Sequence, residues 1–319
     1  MTIRRCRPLQ SGVEADTGPS IRVIALAIMI SLALAPPSLT AESLDLAYMR
    51  GGGLTVGYEK PLKKVAEEVL VVYPRLKSDL EKTFGWRLNF EPTVLLIKDP
   101  ETFLKMAGNS IFAAFAVPGR NLVVIDNSKM KTHPLTLDVT LRHELSHLML
   151  HNYIRSGSLP KWLDEGVSQW VSGGIAEIVT DTRRSPLKEA ALSGGFIPLR
   201  DLTRSFPEGK RAVVLAYEEG KSIVEYIDSN YGGDAVIRLL DSLRHGDTID
   251  EAAREVLGAP LDVVEREWHE DLRRRTTWLT YLSNSLYEIL FFLAALITFI
   301  GFIRLLMKKR AYRDEDDEE

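Results

Sequence analysis

Two histidines four residues apart stand in the segment His143-Glu144-Leu145-Ser146-His147. On a helix such a pair projects from one face, one turn above the other, so two imidazole nitrogens can converge on one ion. Glu144 falls between them, close enough to reach a water on that ion but poorly placed to be a ligand. Leu137, Leu141, Leu145 and Leu148 form the opposite, apolar face and are expected to bury. Chance produces the five-residue pattern in on the order of one chain in a hundred. Two ligands also make a poor zinc site, because a catalytic zinc takes three protein groups and keeps one position open for water.

A candidate third group follows. Seventeen residues separate His147 from Glu165, among them Gly157 as a helix stop, and Glu165 stands in the segment Pro160-Lys161-Trp162-Leu163-Asp164-Glu165-Gly166. Pro160 suits the first turn of a helix running to about Ser172. Trp162, Leu163, Val167, Trp170 and Val171 can bury, which leaves Glu165 on another face. An antiparallel helix returning through a short loop brings Glu165 back beside the histidines.

HELSH followed by WLDEG resembles the gluzincin peptidases, the thermolysin-like and aminopeptidase-like group of the zincins, and above all the small peptidase-MA-like domains of bacteria. The two motifs cover about 25 residues, and a weaker likeness extends over roughly 55–275. The resemblance implies that His143, His147 and Glu165 hold one Zn2+ and that Glu144 is the general base of peptide-bond hydrolysis. It also implies an oxyanion donor from a later helix, for which Tyr217 is the candidate and Tyr226 the rival. In this family an edge strand just ahead of the zinc helix pairs with extended peptide, and Asn121–Ile125 resembles that strand. The metzincin pattern fails, since Leu150 and Tyr153 stand where it needs Gly and His. The Gly-x-Met-Glu-Asn segment that holds a substrate amine in aminopeptidases is absent, which favours endopeptidase action.

The remaining histidines read as bland. His151 continues the spacing from His147 but lies a further turn away and rotated, so it is expected behind the first ion or on the surface. His133, His245 and His269 read as loop or surface residues.

These groups need a scaffold, and the periodicities describe an α+β, zincin-like domain with a small sheet and a mostly helical C-terminal half. Leu62, Val65, Val69, Val72, Leu76 and Leu80 predict a long helix from Lys60 to Phe84, closed by Gly85. Thr93–Ile97 and Asn121–Ile125 read as strands, Pro100–Met106 as a short helix, and Pro118-Gly119 as a hairpin-like turn. Gly51-Gly52-Gly53 reads as a flexible lead-in and Thr182–Gly195 as a loop. A helix is expected from about Thr136 to Tyr153. Three or four more lie between Lys210 and Arg275, broken at Gly232-Gly233, His245-Gly246-Asp247 and Gly258-Ala259-Pro260.

The ends set an address. Arg4, Arg5, Arg7 and Arg22 precede the apolar run Val23–Ala35, so residues 1–41 read as a signal peptide, or alternatively an N-terminal anchor. Residues 286–307 read as one transmembrane helix, with Trp278, Tyr281 and Tyr287 on one side and Lys308, Lys309, Arg310 and Arg313 on the cytoplasmic side. Arg273-Arg274-Arg275 dissents but ends a helix of the folded domain. Residues 42–275, one peptidase-MA-like domain, then face the periplasm or exterior of an inner membrane. Residues 308–319 form a short cytoplasmic tail.

The chain has 319 residues, a net charge of −4, and 45% hydrophobic and 26% charged residues. That excludes a disordered or many-span chain, and gives no sign of a nucleic-acid partner. The single cysteine, Cys6, lies in the removed or cytoplasmic segment, so the domain carries no disulfide or thiolate metal site. The leading expectation is a membrane-anchored zinc metallopeptidase acting on a peptide or protein. The alternatives are a non-catalytic binding or scaffold module of the same fold, or a zinc hydrolase of a non-peptide amide.

Overall fold

The computed structural model describes residues 45–130, 135–154, 157–174, 185–276 and 285–316. The expected signal segment 1–41 with Cys6, His133, Trp278 and Tyr281 lie outside the described residues.

A five-stranded sheet carries the N-terminal half, in the order β1-β2-β3-β5-β4. β1 (Leu46–Gly51) and β2 (Leu54–Glu59) pair antiparallel. The glycine triplet is therefore not a lead-in but the end of β1 and its turn. Gly52 and Gly53 sit at φ 61° and 81°, the positive values that a tight two-residue hairpin requires and that only glycine adopts freely. α1 (Lys63–Phe84), opened by a single 3-10 turn and closed by Gly85, crosses over so that β3 (Thr93–Ile97) lies parallel to β2. α2 (Pro100–Ala107) follows, capped by the Asp99 carboxylate accepting from the Thr102 amide.

β4 (Ala114–Val117) and β5 (Leu122–Asp126) form an antiparallel hairpin around the 3-10 turn Pro118–Arg120. β5 also pairs parallel with β3, so the expectation for Asn121–Ile125 is corrected: this segment is interior, and the edge strand is β4. The reason is legible in Leu122-Val123-Val124-Ile125, apolar without alternation, as suits a strand covered on both faces. Asn121 itself is a left-handed turn residue at φ 48°.

α3 (Leu137–Tyr153) begins at Thr136, whose hydroxyl accepts from the Val139 amide, and ends four residues before Gly157, which sits at φ 87°. α4 (Lys161–Ser172) follows a short turn, and its first amides donate from Lys161 to the Thr203 carbonyl and from Trp162 to the Leu202 carbonyl. The expected loop at Thr182–Gly195 is in part a helix, α5 (Pro186–Ser193). The Ser185 hydroxyl caps its start, Pro186 occupies its first turn and Gly194 ends it at positive φ. α6 (Lys210–Asn230), α7 (Ala235–His245), α8 (Ile249–Leu257) and α9 (Leu261–Arg275) break at the three expected places.

One hydrophobic core joins a face of the sheet to α1, α3, α4 and the later helices through Leu76, Leu141, Leu145, Trp162, Ile223 and Trp268. A smaller cluster of Ile97, Phe103 and Val124 packs α2 against the other face. α10 (Leu286–Asp316) stands apart in chemistry: Leu286–Leu306 has mean hydropathy 2.6 and no buried residue. At about 1.5 Å per residue, those 21 residues are long enough to cross a bilayer.

Candidate metal centre

α3 delivers its chemistry from inside the fold. The apolar face expected to bury does so, and the opposite face is covered as well. Leu141, Leu145 and Leu148 are buried on one side, and His143, Glu144 and His147 are 0%, 0% and 5% exposed on the other. α4, β4 and α1 pack around it. Burial of so much polar surface is costly unless each group has a partner.

Glu165 supplies one. The antiparallel return of α4 brings its carboxylate Oε2 to 3.5 Å from His147 Nε2 and 3.8 Å from His143 Nε2, and the two imidazole nitrogens are 3.2 Å apart. The rings meet edge to face, at an interplanar angle of 82°. Glu165 Oε1 is ion-paired with Lys161 one turn earlier, while Oε2 is buried and accepts no hydrogen bond. A tetrahedral zinc with bonds near 2.0–2.1 Å would place its ligand atoms roughly 3.3 Å apart, and the three spacings bracket that value. His143, His147 and Glu165 thus form a His-His-Glu cluster whose donor set and spacing fit zinc.

Asp164, the residue before Glu165, has a part that the motif alone does not signal. Asp164 Oδ1 lies 2.7 Å from His147 Nδ1, and Oδ2 lies 3.0 Å from His151 Nε2. Ser168 Oγ is 3.2 Å from the same His147 Nδ1. Burial alone would push the His147 imidazole pKa down, but the Asp164 and Glu165 carboxylates outweigh it and hold it well above the usual value. Burial likewise opposes ionisation of Asp164, and His147, His151 and Lys161 overcome it, keeping this carboxyl far below the ordinary carboxylate range. The signal for this link was the continued four-residue spacing from His147 to His151, which puts both rings along one side of α3.

A cleft of about 290 Å3 opens on the cluster. His147, His151, Lys161, Asp164, Glu165 and Tyr217 form its polar wall, and Met106, Phe112 and Phe115 its apolar wall. A larger groove of about 420 Å3, lined by Asp241, Ser242 and His245 among others, lies away from the cluster. Size does not decide here; the convergence of ligand atoms does.

A family model described as the Peptidase MA superfamily matches residues 112–274, half of the chain and all of the groups just described on α3 and α4. The chain belongs to the Peptidase MA superfamily. Solved structures similar to it include LTA4 hydrolase of yeast in complex with bestatin, at 16% identity and TM-score 0.42, covering 66% of this chain and 36% of that one. Another is an M1 zinc metallopeptidase from Deinococcus radiodurans, at 16% identity and TM-score 0.36, covering 72% of this chain and 50% of that one. The chain therefore spans half or less of the length of those two enzymes. A search of curated proteins finds no match.

In this Peptidase MA superfamily chain the two tyrosine candidates separate cleanly. Tyr217 on α6 lines the cleft with His147 and Glu165, its ring edge-to-face with Phe206 at 5.0 Å. Tyr226, more than two turns further along, packs instead against Tyr231. Phe115 and Ala116 of the edge strand β4 reach the cleft, so the strand that borders it is β4 and not β5. His245 is exposed, and its Nδ1 donates to the Asp241 carbonyl at 2.6 Å, as suits a surface histidine at a helix end. His269 departs from its reading: it is neither loop nor surface but stacks on Phe196 at 3.9 Å from within α9, and burial pushes its pKa down to about 4.

Proposed function

We propose that this chain is a zinc-dependent peptidase held to a membrane by α10, with the metal on His143, His147 and Glu165. The observation that carries the reading is Glu165 Oε2, a buried carboxylate oxygen with no hydrogen bond, facing two imidazole Nε2 atoms at ligand-to-ligand distances. A buried carboxylate oxygen without a donor is costly in the interior, and a cation bound by all three removes the cost.

Zinc held by His143, His147 and Glu165 would supply Lewis acidity toward the scissile carbonyl and a water in the cleft. Glu144 takes the water's proton and passes it to the leaving nitrogen. The Tyr217 hydroxyl donates to the oxyanion that forms on the carbonyl. Lys161 holds Glu165 Oε1, which leaves Oε2 turned toward the histidines. The apolar wall of Met106, Phe112 and Phe115 seats a substrate side chain, and β4 offers its free edge to an extended peptide. The arginine-rich lead, the apolar run behind it and the basic residues after Leu306 support a domain facing outside the cytoplasm.

The deciding test is metal content of the full-length chain in detergent, wild type beside His147→Ala, Glu165→Ala and Glu144→Gln. One zinc per wild-type chain, lost in the first two variants and kept in Glu144→Gln with peptide hydrolysis abolished, is the expected pattern. Retained hydrolysis in Glu144→Gln would overturn the mechanism. Zinc without hydrolysis of any denatured protein would favour a binding module of the same fold.

A further inference from the structure

We propose that Asp164 is a positioning residue for the metal centre, fixing His147 through its Nδ1, and that His151 acts through Asp164 by holding its second oxygen. The inference rests on the zinc reading above and extends it to two residues outside the ligand set.

The geometry is a chain of three side chains from two helices. His147 and His151 stand one turn apart on α3, and Asp164, in the first turn of α4, reaches between them. The carboxylate spends both oxygens there, at 2.7 Å from His147 Nδ1 and 3.0 Å from His151 Nε2. Neither oxygen faces the Nε2 atoms of the cluster, so Asp164 is not a fourth ligand. An acceptor carboxylate requires the proton on Nδ1, and a neutral imidazole has only one. The lone pair is then on Nε2, the atom directed at His143 and Glu165. Ser168 Oγ adds a second, weaker contact to Nδ1.

Asp164 is 4% exposed, so each of its oxygens needs a donor inside the protein. The amino end of α4 favours a negative charge at this position, but the helix cannot aim the carboxylate. His151 does. Its side chain is one-third exposed at the rim of the cleft, which makes it the replaceable member of the chain. Without His151 the carboxylate can rotate, and the orientation it imposes on His147 is lost with it.

Zinc affinity reads this directly, by competition with a chromophoric chelator on the full-length chain in detergent. Asp164→Asn keeps the size and removes the charge, and is expected to weaken zinc binding by about 10- to 100-fold. His151→Gln is expected to weaken it by about threefold to tenfold in the wild-type background and by nothing further in Asp164→Asn, since it acts through that residue. Should Asp164→Asn fail to fold, the partly exposed His151 site still answers, with the unfolding midpoint of the zinc-free variant as the check on structure. Zinc affinities within about twofold of wild type in both variants would overturn the proposal. Purely additive losses would remove His151 from it. If the wild type binds no zinc, the reading of the site fails too; if it binds and the variants bind equally, only the positioning role fails.

Discussion

Gly166 and Gly220 bring α4 and α6 together backbone to backbone. A Cβ on Gly166 would lie 2.2 Å from the Gly220 carbonyl oxygen, and one on Gly220 would lie 2.8 Å from the Trp162 carbonyl oxygen. Gly166 follows Glu165, and Gly220 sits one turn beyond Tyr217, so this contact sets the distance between the proposed ligand helix and the proposed oxyanion donor. Gln169 reinforces it, donating from Nε2 to the Tyr217 carbonyl at 3.0 Å.

Gly166→Ala should therefore push the helices apart although alanine is the better helix former. The expected loss is about 1–3 kcal/mol, typical of overpacking, read as a lower urea midpoint together with reduced activity. Gly119→Ala, where a Cβ meets nothing within 4 Å, serves as the control. A midpoint unchanged in Gly166→Ala would show that the helices do not need this approach.

Tyr217→Phe removes a hydroxyl and little volume. If that hydroxyl donates to the oxyanion, kcat should fall by about 10²–10³ with zinc content unchanged. Tyr226→Phe should leave kcat alone, because Tyr226 packs against Tyr231 and not into the cleft. Equal losses in the two variants would assign the effect to packing.

Zinc should stabilise the fold through the same three residues. At zinc concentrations about a thousandfold above Kd, linkage adds about 4 kcal/mol. The thermal midpoint of wild type should rise on adding zinc and fall with chelator, while Glu165→Ala should respond to neither. A full response in Glu165→Ala would mean that another residue completes the site.

Stability should also decline with rising pH through a group outside the proposed ligand set. Glu219 is buried on α6, with Oε1 accepting from the Ile197 amide at 3.0 Å and Oε2 without a partner. Burial, with help from the Glu265 and Glu218 charges, pushes its pKa from 4.5 up to about 8. Between those values the folded protein keeps a proton that the unfolded chain has released. Stability is accordingly greatest below the unfolded pKa and is lost as pH rises toward 8, by at most about 1.4 kcal/mol per pH unit for this one group. Glu219→Gln should have little effect at pH 5 and raise the urea midpoint at pH 8. An advantage that does not grow with pH would show that Glu219 ionises freely in the fold.

What local chemistry controls was legible in the sequence: helices at 63–84, 137–153 and 161–172, the three breaks of the C-terminal half, and an apolar helix near the C-terminal end. These follow from side-chain period, proline and glycine, which act within a turn or two of chain. His143, His147 and Glu165 belong with them, because the two motifs name the residues before any fold is known. Sheet order was not legible, since which strand is left at the edge depends on pairing between segments far apart in sequence, and β5 proved interior. Nor was the burial of His143 and Glu144 or the bridge from His147 through Asp164 to His151. Those depend on how closely α4 returns along α3 and how α6 closes over it, distances set by packing across the core and by two glycines that no single helix could specify.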